Sequence, residues 1–270
     1  MVPSWFFPNP TRMKKLPLFL AAACFGLFAL ATAQTTPAAA PAPVSAALAA
    51  PVDPSAAIPK TGNAAFFQKH EQFLARAKAG AIGVLFLGDS ITEGWTKAPH
   101  IWEHYYAKYQ PANFGIGGDQ TQHVIWRIEN GELDGIKPRV VVLMLGTNNS
   151  GAHTAGQIAA ADRKIVQMIR TRLPEAKILL LAIFPRGPRK ARDGTPEPWE
   201  KRMEVIRAAN TDLAGLDDGK TIRFLDLNAR FLGNDGTIPS IIMPDQLHPN
   251  AAGYQLWAEA MQPLLDEMMK

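Results

Sequence analysis

Three residue types that together activate a hydroxyl stand in two short segments of the sequence. Ser90 follows the apolar run Val84–Leu87, and Asp245 and His248 lie three residues apart in a second segment. A serine hydroxyl becomes a strong nucleophile when a histidine accepts its proton and a carboxylate holds that histidine in the required tautomer. Each segment alone also fits helix capping, so this chemistry depends on the two segments meeting in space.

Acyl transfer also needs hydrogen-bond donors for the negative charge that develops on the carbonyl oxygen. The pair Gly117-Gly118 follows a short strand pattern, and glycines allow the backbone to turn its N–H groups inward, so the Gly118 N–H is a candidate donor. Asn148 follows the apolar run 139–145 and offers a side-chain N–H. Each feature alone also fits a tight turn or a helix cap, but with the serine and the histidine they form a complete hydrolase set.

Alternating apolar patterns predict the elements that position these residues. Runs of strand length alternate with segments of helical apolar spacing, which predicts parallel strands joined by right-handed crossovers and covered by helices on both faces. We therefore expect an α/β fold, a three-layer α/β/α sandwich with a five-stranded parallel sheet, whose carboxyl edge carries the polar loops. The predicted strands are 84–87, 112–116, 139–145, 177–184 and 221–227; the predicted helices are 63–78, 99–109, 121–130, 154–173, 199–216 and one from 251 that Pro263 kinks or restarts.

Four sequence blocks occur in an order that resembles the SGNH, or GDSL, hydrolase family. The blocks are Gly88-Asp89-Ser90, Asn113-Phe114-Gly115-Ile116-Gly117-Gly118-Asp119, Gly146-Thr147-Asn148-Asn149 and Asp245-Gln246-Leu247-His248. The resemblance covers residues 64–270 and implies a flavodoxin-like sheet. It also implies Ser90 as the nucleophile, His248 as the base and Asp245 as the partner of the histidine.

The same resemblance implies how the oxyanion is held. Its donors are expected to be the Ser90 N–H, the Gly118 N–H and the Asn148 side chain, with neither a metal ion nor a cofactor. Within the family, the stretch Asn113–Leu133 is similar to the catalytic subunits of intracellular platelet-activating-factor acetylhydrolases. The N-terminal region of this chain departs from those subunits.

The first 60 residues predict export followed by a tether. Three basic residues between positions 12 and 15 precede an apolar run that ends in Ala31-Thr32-Ala33, the small-residue pattern of a secretory cleavage site. We expect residues 1–33 to be a signal peptide, which favours a periplasmic or secreted protein over one with a stable membrane span. Residues 34–60 are rich in Ala and Pro and are expected to form a disordered linker, so that 61–270 form the hydrolase domain.

Removal of the predicted signal peptide changes what the composition implies. The segment carries Arg12, Lys14 and Lys15 and no acid, so 28 basic against 24 acidic residues becomes 25 against 24. This near-neutral balance argues against a nucleic-acid partner. Cys24, the only cysteine, leaves with the same segment, which excludes a thiol nucleophile and a disulfide in the mature chain. A lipoprotein site at Cys24 is an alternative, but it would cut the apolar run in half.

These observations predict a serine esterase that hydrolyses small acyl esters, acetyl esters above all, on exported carbohydrates or glycosides through an acyl-serine intermediate. A lysophospholipase or thioesterase of the same family is the alternative. Two remote alternatives are a non-catalytic carbohydrate-binding protein and a zinc metalloprotease, since His100, Glu103 and His104 match an H-x-x-E-H pattern. A basic loop that contains Arg186, Arg189, Lys190 and Arg192 is a candidate for steering an acidic sugar polymer, although a charge run in a loop is usually only solvated. The sequence leaves the oligomeric state open, a homodimer included.

Overall fold

The computed structural model describes residues 52–191 and 193–270, so the predicted signal peptide lies outside the described residues. Helices and strands alternate along this part of the chain. In chain order they are α1 (Ala64–Lys78), β1 (Val84–Gly88), α2 (Ser90–Glu93), α3 (Pro99–Tyr106), β2 (Pro111–Gly115), α4 (Thr121–Glu129), β3 (Val140–Met144), α5 (Ala155–Arg172), β4 (Lys177–Leu181), α6 (Trp199–Ala214), β5 (Ile222–Leu225) and α7 (Ala251–Met268).

The five strands form one parallel sheet in the order β2-β1-β3-β4-β5. This is the flavodoxin-like order of a doubly wound fold, and it confirms the predicted three-layer α/β/α architecture. β1 and β3 are neighbours, but the chain continues from β1 to one side of the sheet and from β3 to the other. In such folds the crevice beyond the carboxyl ends of these two strands is where ligands bind.

Two apolar cores lie on the two faces of the sheet. Successive strand residues point to opposite faces, so Leu85 and Leu87 of β1 pack in one core while Val84 and Phe86 pack in the other. The first core also contains residues of α4, α5 and α6, and the second contains residues of α3 and α7. Every residue of β1 and β3 is buried, which explains their near-continuous apolar sequence.

For β3, β4 and β5 the apolar runs predicted longer strands than the sheet contains. β4 ends at Leu181, whereas Ala182, Ile183 and Phe184 continue the run and are fully buried. An apolar sequence indicates that residues are buried, not that they are paired in a sheet. Here the buried residues continue beyond the last hydrogen-bonded strand residue into the loop at the sheet edge. The last helix, α7, is continuous through Pro263, which excludes a restart there and leaves a kink as the predicted effect of the proline.

Part of the predicted disordered linker packs against the domain. We call residues 52–60 the N-terminal strap. Its backbone carbonyl groups accept hydrogen bonds from the domain: Thr121 Oγ1 donates to Pro54 O at 2.8 Å, and Lys164 Nζ donates to Ser55 O at 2.8 Å. Further hydrogen bonds join His153 Nε2 to Val52 O at 2.7 Å and the Ile58 N–H to Gln122 O at 3.1 Å. The linker prediction is therefore wrong for 52–60, because composition measures apolar side chains and this segment is held largely through its backbone.

None of the helices in the described part of the chain combines the length and the apolar character needed to cross a bilayer.

Candidate active site

A tight turn at the end of β1 presents Ser90. Asp89 lies at the N-cap of α2 and accepts the Ile91 N–H at 2.9 Å, so Ser90 opens the helix with its side chain at the carboxyl edge of the sheet. A side chain at Gly88 would collide with the Thr92 hydroxyl and the Met144 carbonyl oxygen. Glycine at this position therefore allows the strand to turn directly into the helix.

The structure brings Ser90, His248 and Asp245 together in a hydrogen-bonded chain. Ser90 Oγ lies 2.9 Å from His248 Nε2, and His248 Nδ1 lies 2.7 Å from Asp245 Oδ2. The other oxygen of Asp245 accepts the backbone N–H of His248 at 2.7 Å, which fixes the turn that carries both residues. An ionised Asp245 accepts a hydrogen bond from the Nδ1–H of the ring, which holds the tautomer that leaves Nε2 free to accept from the serine hydroxyl.

The surroundings of Asp245 keep its carboxyl group ionised. Partial burial opposes ionisation, but hydrogen bonds from the His248 ring and backbone hold the pKa of Asp245 well below its usual range. Arg189 Nη2 lies 3.6 Å from Asp245 Oδ2 and contributes a positive charge from the neighbouring loop. The side chain of Asp245 is 46% exposed and that of His248 is 27% exposed, so this end of the chain of hydrogen bonds is open to solvent.

Gly118 and Asn148 lie in loops that contact the serine turn. A Cβ at Gly117 would lie 2.9 Å from Glu93 Oε2 and 3.9 Å from Ser90 Cβ, so the glycine pair runs close against the nucleophile turn. Gly118 has φ +72°, a backbone conformation that side-chain-bearing residues rarely adopt. Asn148 Nδ2 donates to Asp119 O at 2.8 Å and lies 3.3 Å from Asp89 Oδ2, so its amide bridges the two loops.

Asp89, which precedes the nucleophile in the first family block, is a buried acid for which the sequence pattern indicated no catalytic role. Its side chain has no exposure to solvent, and burial raises the pKa of Asp89 to about 7. The nearby Asp119 raises this pKa further, whereas the Ile91 N–H and the positive potential of His248 and Lys60 lower it. A carboxyl group beside the nucleophile therefore changes its charge close to neutral pH.

A buried charge cluster that the sequence patterns did not predict lies behind the Gly118 loop. Asp119 Oδ1 lies 2.7 Å from Lys60 Nζ, and Asp119 Oδ2 lies 3.0 Å from Arg127 Nε. Arg127 also pairs with Glu132, and the side chains of Asp119, Arg127 and Glu132 are all fully buried. One signal was present in the sequence: Arg127 falls among the apolar positions of α4, where an unpaired charge would be costly.

The structure does not support two other roles suggested by the sequence, zinc binding by the H-x-x-E-H residues and polymer steering by Arg186. His100, Glu103 and His104 are all exposed on α3, and no group of three metal-ligating side chains occurs within residues 52–191 and 193–270. The metalloprotease alternative therefore lacks a ligand set. Arg186 is buried and paired with Glu197, so it is not available to steer a polymer.

An open parallel α/β sheet that carries a hydrogen-bonded serine, histidine and aspartate at its carboxyl edge defines a class of protein, the α/β serine hydrolases. Comparison with known sequences identifies the family within this class. Residues 86–256 match a sequence model of the GDSL-like Lipase/Acylhydrolase family. The chain belongs to the GDSL-like lipase/acylhydrolase family and is a carboxylic ester hydrolase.

Curated relatives support the resemblance seen in the sequence. The chain is 38% identical over 205 residues to the alpha1 subunit of platelet-activating factor acetylhydrolase IB from Homo sapiens, covering 76% of this chain and 84% of the relative. It is 35% identical over 218 residues to the alpha2 subunit from Rattus norvegicus, covering 80% of this chain and 90% of the relative. The similarity to these acetylhydrolase subunits is thereby confirmed.

Solved structures share the fold at lower sequence identity. A GDSL-like lipase from Bacteroides thetaiotaomicron superposes with a TM-score of 0.59 at 18% identity, covering 74% of this chain and 98% of the other. A carbohydrate acetylesterase family member from Sinorhizobium meliloti superposes with a TM-score of 0.53 at 16% identity, covering 69% and 98%. These similarities establish the architecture and carry no statement about substrate.

Proposed function

We propose that this protein is an exported serine esterase that hydrolyses acetyl esters, with Ser90 as nucleophile, His248 as general base and Asp245 as the partner of the histidine. The observation that carries the proposal is the hydrogen-bonded chain from Ser90 Oγ through the His248 ring to Asp245. The choice of acetyl is supported by the curated relatives, which are named acetylhydrolases.

The proposed reaction begins with attack of Ser90 Oγ on the ester carbonyl carbon. His248 Nε2 accepts the hydroxyl proton as the new C–O bond forms, and Asp245 stabilises the resulting imidazolium. The carbonyl oxygen becomes an oxyanion, for which the Ser90 N–H, the Gly118 N–H and the Asn148 amide are the proposed donors. The imidazolium then gives its proton to the departing alkoxide, the alcohol leaves, and acetyl-Ser90 remains.

The second half of the proposed reaction repeats these roles with water. His248 takes a proton from a water molecule that attacks the acetyl carbon, a second oxyanion forms, and the proton passes to Ser90 Oγ as acetic acid departs and ionises to acetate in water. For Asn148, donation to the oxyanion requires an N–H to turn from Asp89 Oδ2 towards the substrate. At 3.3 Å this is the weaker of its two contacts, since the other spans 2.8 Å.

Acetylated carbohydrates or glycosides are the substrates we propose first. The exposed fractions of Asp245 and His248 favour a site that a bulky alcohol portion can reach from solvent. The predicted signal peptide would place the enzyme in the periplasm or outside the cell, where acetylated polysaccharides occur as large substrates. In this proposal the acyl group is small and the alcohol portion carries the specificity.

A lipid ester is the second candidate, in keeping with the lysophospholipase or thioesterase alternative. It is favoured by the names of the relatives, which are acetylhydrolases of platelet-activating factor, and by the lipases in the family name. A cavity of about 790 Å³ lies at the opposite edge of the sheet, and its lining includes Pro138, Arg139 and Lys177 but none of the proposed catalytic residues. That cavity therefore gives no support to a lipid tunnel at Ser90.

One comparison tests the proposal. The purified protein and Ser90→Ala are assayed with acetyl, butyryl and long-chain p-nitrophenyl esters, and then with an acetylated xylan and an acetylated lysophospholipid. We expect the highest kcat/KM for the acetyl ester, release of acetate from the xylan, and loss of turnover in Ser90→Ala. A preference for long chains or for the lipid would select the second candidate, and an active Ser90→Ala would remove Ser90 as the nucleophile.

A further inference from the structure

Lys60, the last residue of the N-terminal strap, lies against the turn that carries Gly118. Its Nζ donates to Gly117 O at 2.6 Å and lies 2.7 Å from Asp119 Oδ1. The Lys60 side chain is only 12% exposed, and a Cβ at Gly118 would lie 3.7 Å from Nζ. A largely desolvated ammonium group is therefore packed directly behind one of the proposed oxyanion donors.

The bond to Gly117 O fixes the direction of the Gly118 N–H. The Gly117 carbonyl and the Gly118 N–H belong to the same peptide unit, which is planar and trans, so its C=O and N–H point in opposite directions. Gly118 lies in the left-handed region at φ +72°, and glycines on both sides of this peptide leave it free to rotate. A cation that holds the oxygen removes this freedom and holds the N–H pointing away from Lys60.

The same bond also strengthens the donor. A hydrogen bond to an ionised group is shorter and stronger than a neutral one, and hydrogen bonds in series polarise each other. An ammonium group on the carbonyl oxygen draws electron density from the peptide and leaves its N–H more positive. The Asp119 and Arg127 side chains behind the turn are fully buried and shield this side of the peptide from water, whereas Gly117 and Gly118 themselves are exposed.

The position of Lys60 is itself held from several sides. Asp119 forms ion pairs with both Lys60 and Arg127. The Lys60 ammonium group therefore has a counter-ion that is held in the domain by Arg127. The strap that delivers Lys60 is tied to the domain at Pro54 and at Ser55. The ammonium group is therefore preorganised before substrate arrives, which is the condition under which electrostatic stabilisation is effective.

We infer that Lys60 is a positioning residue for the oxyanion hole: its ammonium group orients and polarises the Gly117–Gly118 peptide so that the Gly118 N–H stabilises the transition state. This inference rests on the proposed function, because it assigns Lys60 a role in the same acyl transfer. The inferred role of Lys60 also means that the N-terminal strap contributes to catalysis.

The test compares Lys60→Met, Lys60→Arg and Lys164→Met with the unchanged protein. Met removes the charge and keeps the length, whereas Arg keeps the charge. Lys164→Met is the matched control, since Lys164 holds the strap at Ser55 O and has no role in the proposed site. Turnover of p-nitrophenyl acetate is expressed per serine titrated with a fluorophosphonate, so a partly unfolded preparation still reports on its folded fraction. Inhibition by phenylboronate measures affinity for a tetrahedral anionic adduct.

We expect Lys60→Met to lower kcat per titrated serine about 10- to 30-fold, less than the loss of a whole oxyanion donor, with KM within about twofold. Phenylboronate should bind more weakly by a similar factor. Lys60→Arg should have a kcat within about fivefold of the unchanged protein. Lys164→Met should keep kcat within about twofold even if Tm falls, because this variant removes only the hydrogen bond to Ser55 O in the strap.

Three results would overturn the inference and leave the proposed function standing: unchanged kcat per titrated serine in Lys60→Met, a loss confined to Tm or to the number of titrated serines, or an equal loss of kcat in Lys164→Met. Ser90→Ala separates these from failure of the proposed function itself. If the unchanged protein and Ser90→Ala are equally inactive on every ester, both the proposed function and this inference fall.

Discussion

Three aspartates around the site differ in pKa because their surroundings differ. Asp245 is partly exposed and accepts hydrogen bonds from His248, which lower its pKa. Asp89 is fully buried, and burial raises its pKa to about 7. Burial also raises the pKa of Asp119, while Arg127 and Lys60 oppose that shift. The residue type alone therefore does not determine the role. One aspartate, Asp245, orients the base, a second, Asp89, contacts the Asn148 amide, and the third, Asp119, pairs with two cations.

The role proposed for Asn148 predicts a kinetic effect of its removal. Asn148→Ala should lower kcat/KM for p-nitrophenyl acetate by about 100- to 1000-fold, or about 2.7–4 kcal/mol of transition-state stabilisation, because one oxyanion donor is lost. Asn149→Ala is the matched control: Asn149 is buried and hydrogen-bonded to Thr121 and Gln122, so its loss should lower Tm much more than turnover. Unchanged kcat/KM in Asn148→Ala would remove Asn148 from the oxyanion hole.

His123 predicts a dependence of stability on pH. Its Nδ1 accepts the Gln120 N–H at 2.9 Å, and burial, with Lys60 and Arg127 nearby, lowers the pKa of His123 to about 4. The unfolded chain takes up a proton near pH 6.5 and the folded chain does not, so the stabilisation is complete above pH 6.5 and is lost as the pH falls to 4. The fall in pKa from 6.5 to about 4 corresponds to about 3 kcal/mol.

His123→Gln gives the measurement for this prediction. Gln retains a hydrogen-bond acceptor but cannot be protonated in this range. Urea unfolding at pH 7.5 and at pH 4.5 should show that the wild type loses more stability than the variant on acidification. The difference between the two proteins is the relevant quantity, because Asp89 and Glu132, whose pKa values burial raises to about 7, titrate in an overlapping range. Equal losses in the two proteins would contradict the prediction.

For single residues, the sequence predicted the catalytic serine, histidine and aspartate but not the charged side chains that surround them. Ser90, Asp245 and His248 were found from residue type and spacing, since the chemistry demands those types. Lys60, Asp119 and Arg127 were missed because each is explained only by partners far along the chain. No local pattern reveals that an Asp after two glycines and a Lys at the end of a Pro-rich segment form an ion pair.

At the scale of elements, the sheet order explains why three of the four loops meet at one place; the fourth loop, with Asp245 and His248, follows β5 at the far edge of the sheet. β1 and β3 are adjacent at the point where the chain turns to opposite sides of the sheet, and the Ser90 and Asn148 loops follow these two strands. The Gly118 loop follows β2, the other neighbour of β1. Periodicity predicted the strands and helices, but the order of strands required the family resemblance, since it depends on crossovers that the sequence pattern does not specify.

The packing of α7 predicts a large effect of a single substitution. Trp257 is fully buried, and its ring centroid lies 4.9 Å from that of Trp95 and 4.8 Å from that of Phe184. Trp257→Ala should lower the free energy of unfolding by about 3 to 5 kcal/mol, because it leaves a cavity in the core between α7 and the sheet. Leu232→Ala is the control, since Leu232 is 37% exposed; urea denaturation should separate the two variants clearly. Equal destabilisation would contradict this account of the core.

At the scale of the whole molecule, the N-terminal region predicts a processed, exported protein. In a Gram-negative host, we expect the protein recovered from the periplasm to begin at Gln34, because the predicted cleavage site follows Ala31-Thr32-Ala33. Intact-mass measurement tests this directly. Ala31→Lys should leave the precursor uncleaved, since the site requires small residues. Recovery of full-length protein from the cytoplasm in both cases would contradict the export proposal.

The packed strap changes where the folded unit begins. A version of the chain that starts at residue 61, where the Ala- and Pro-rich composition ends, would discard one of the two cations that neutralise buried Asp119 and would leave that carboxylate with Arg127 alone. A version that starts before Val52 keeps every strap hydrogen bond described above. Recombinant enzyme intended for substrate screening should therefore carry its affinity tag upstream of Val52. A chain that begins at residue 61 lacks Lys60, and we expect it to turn over esters more slowly.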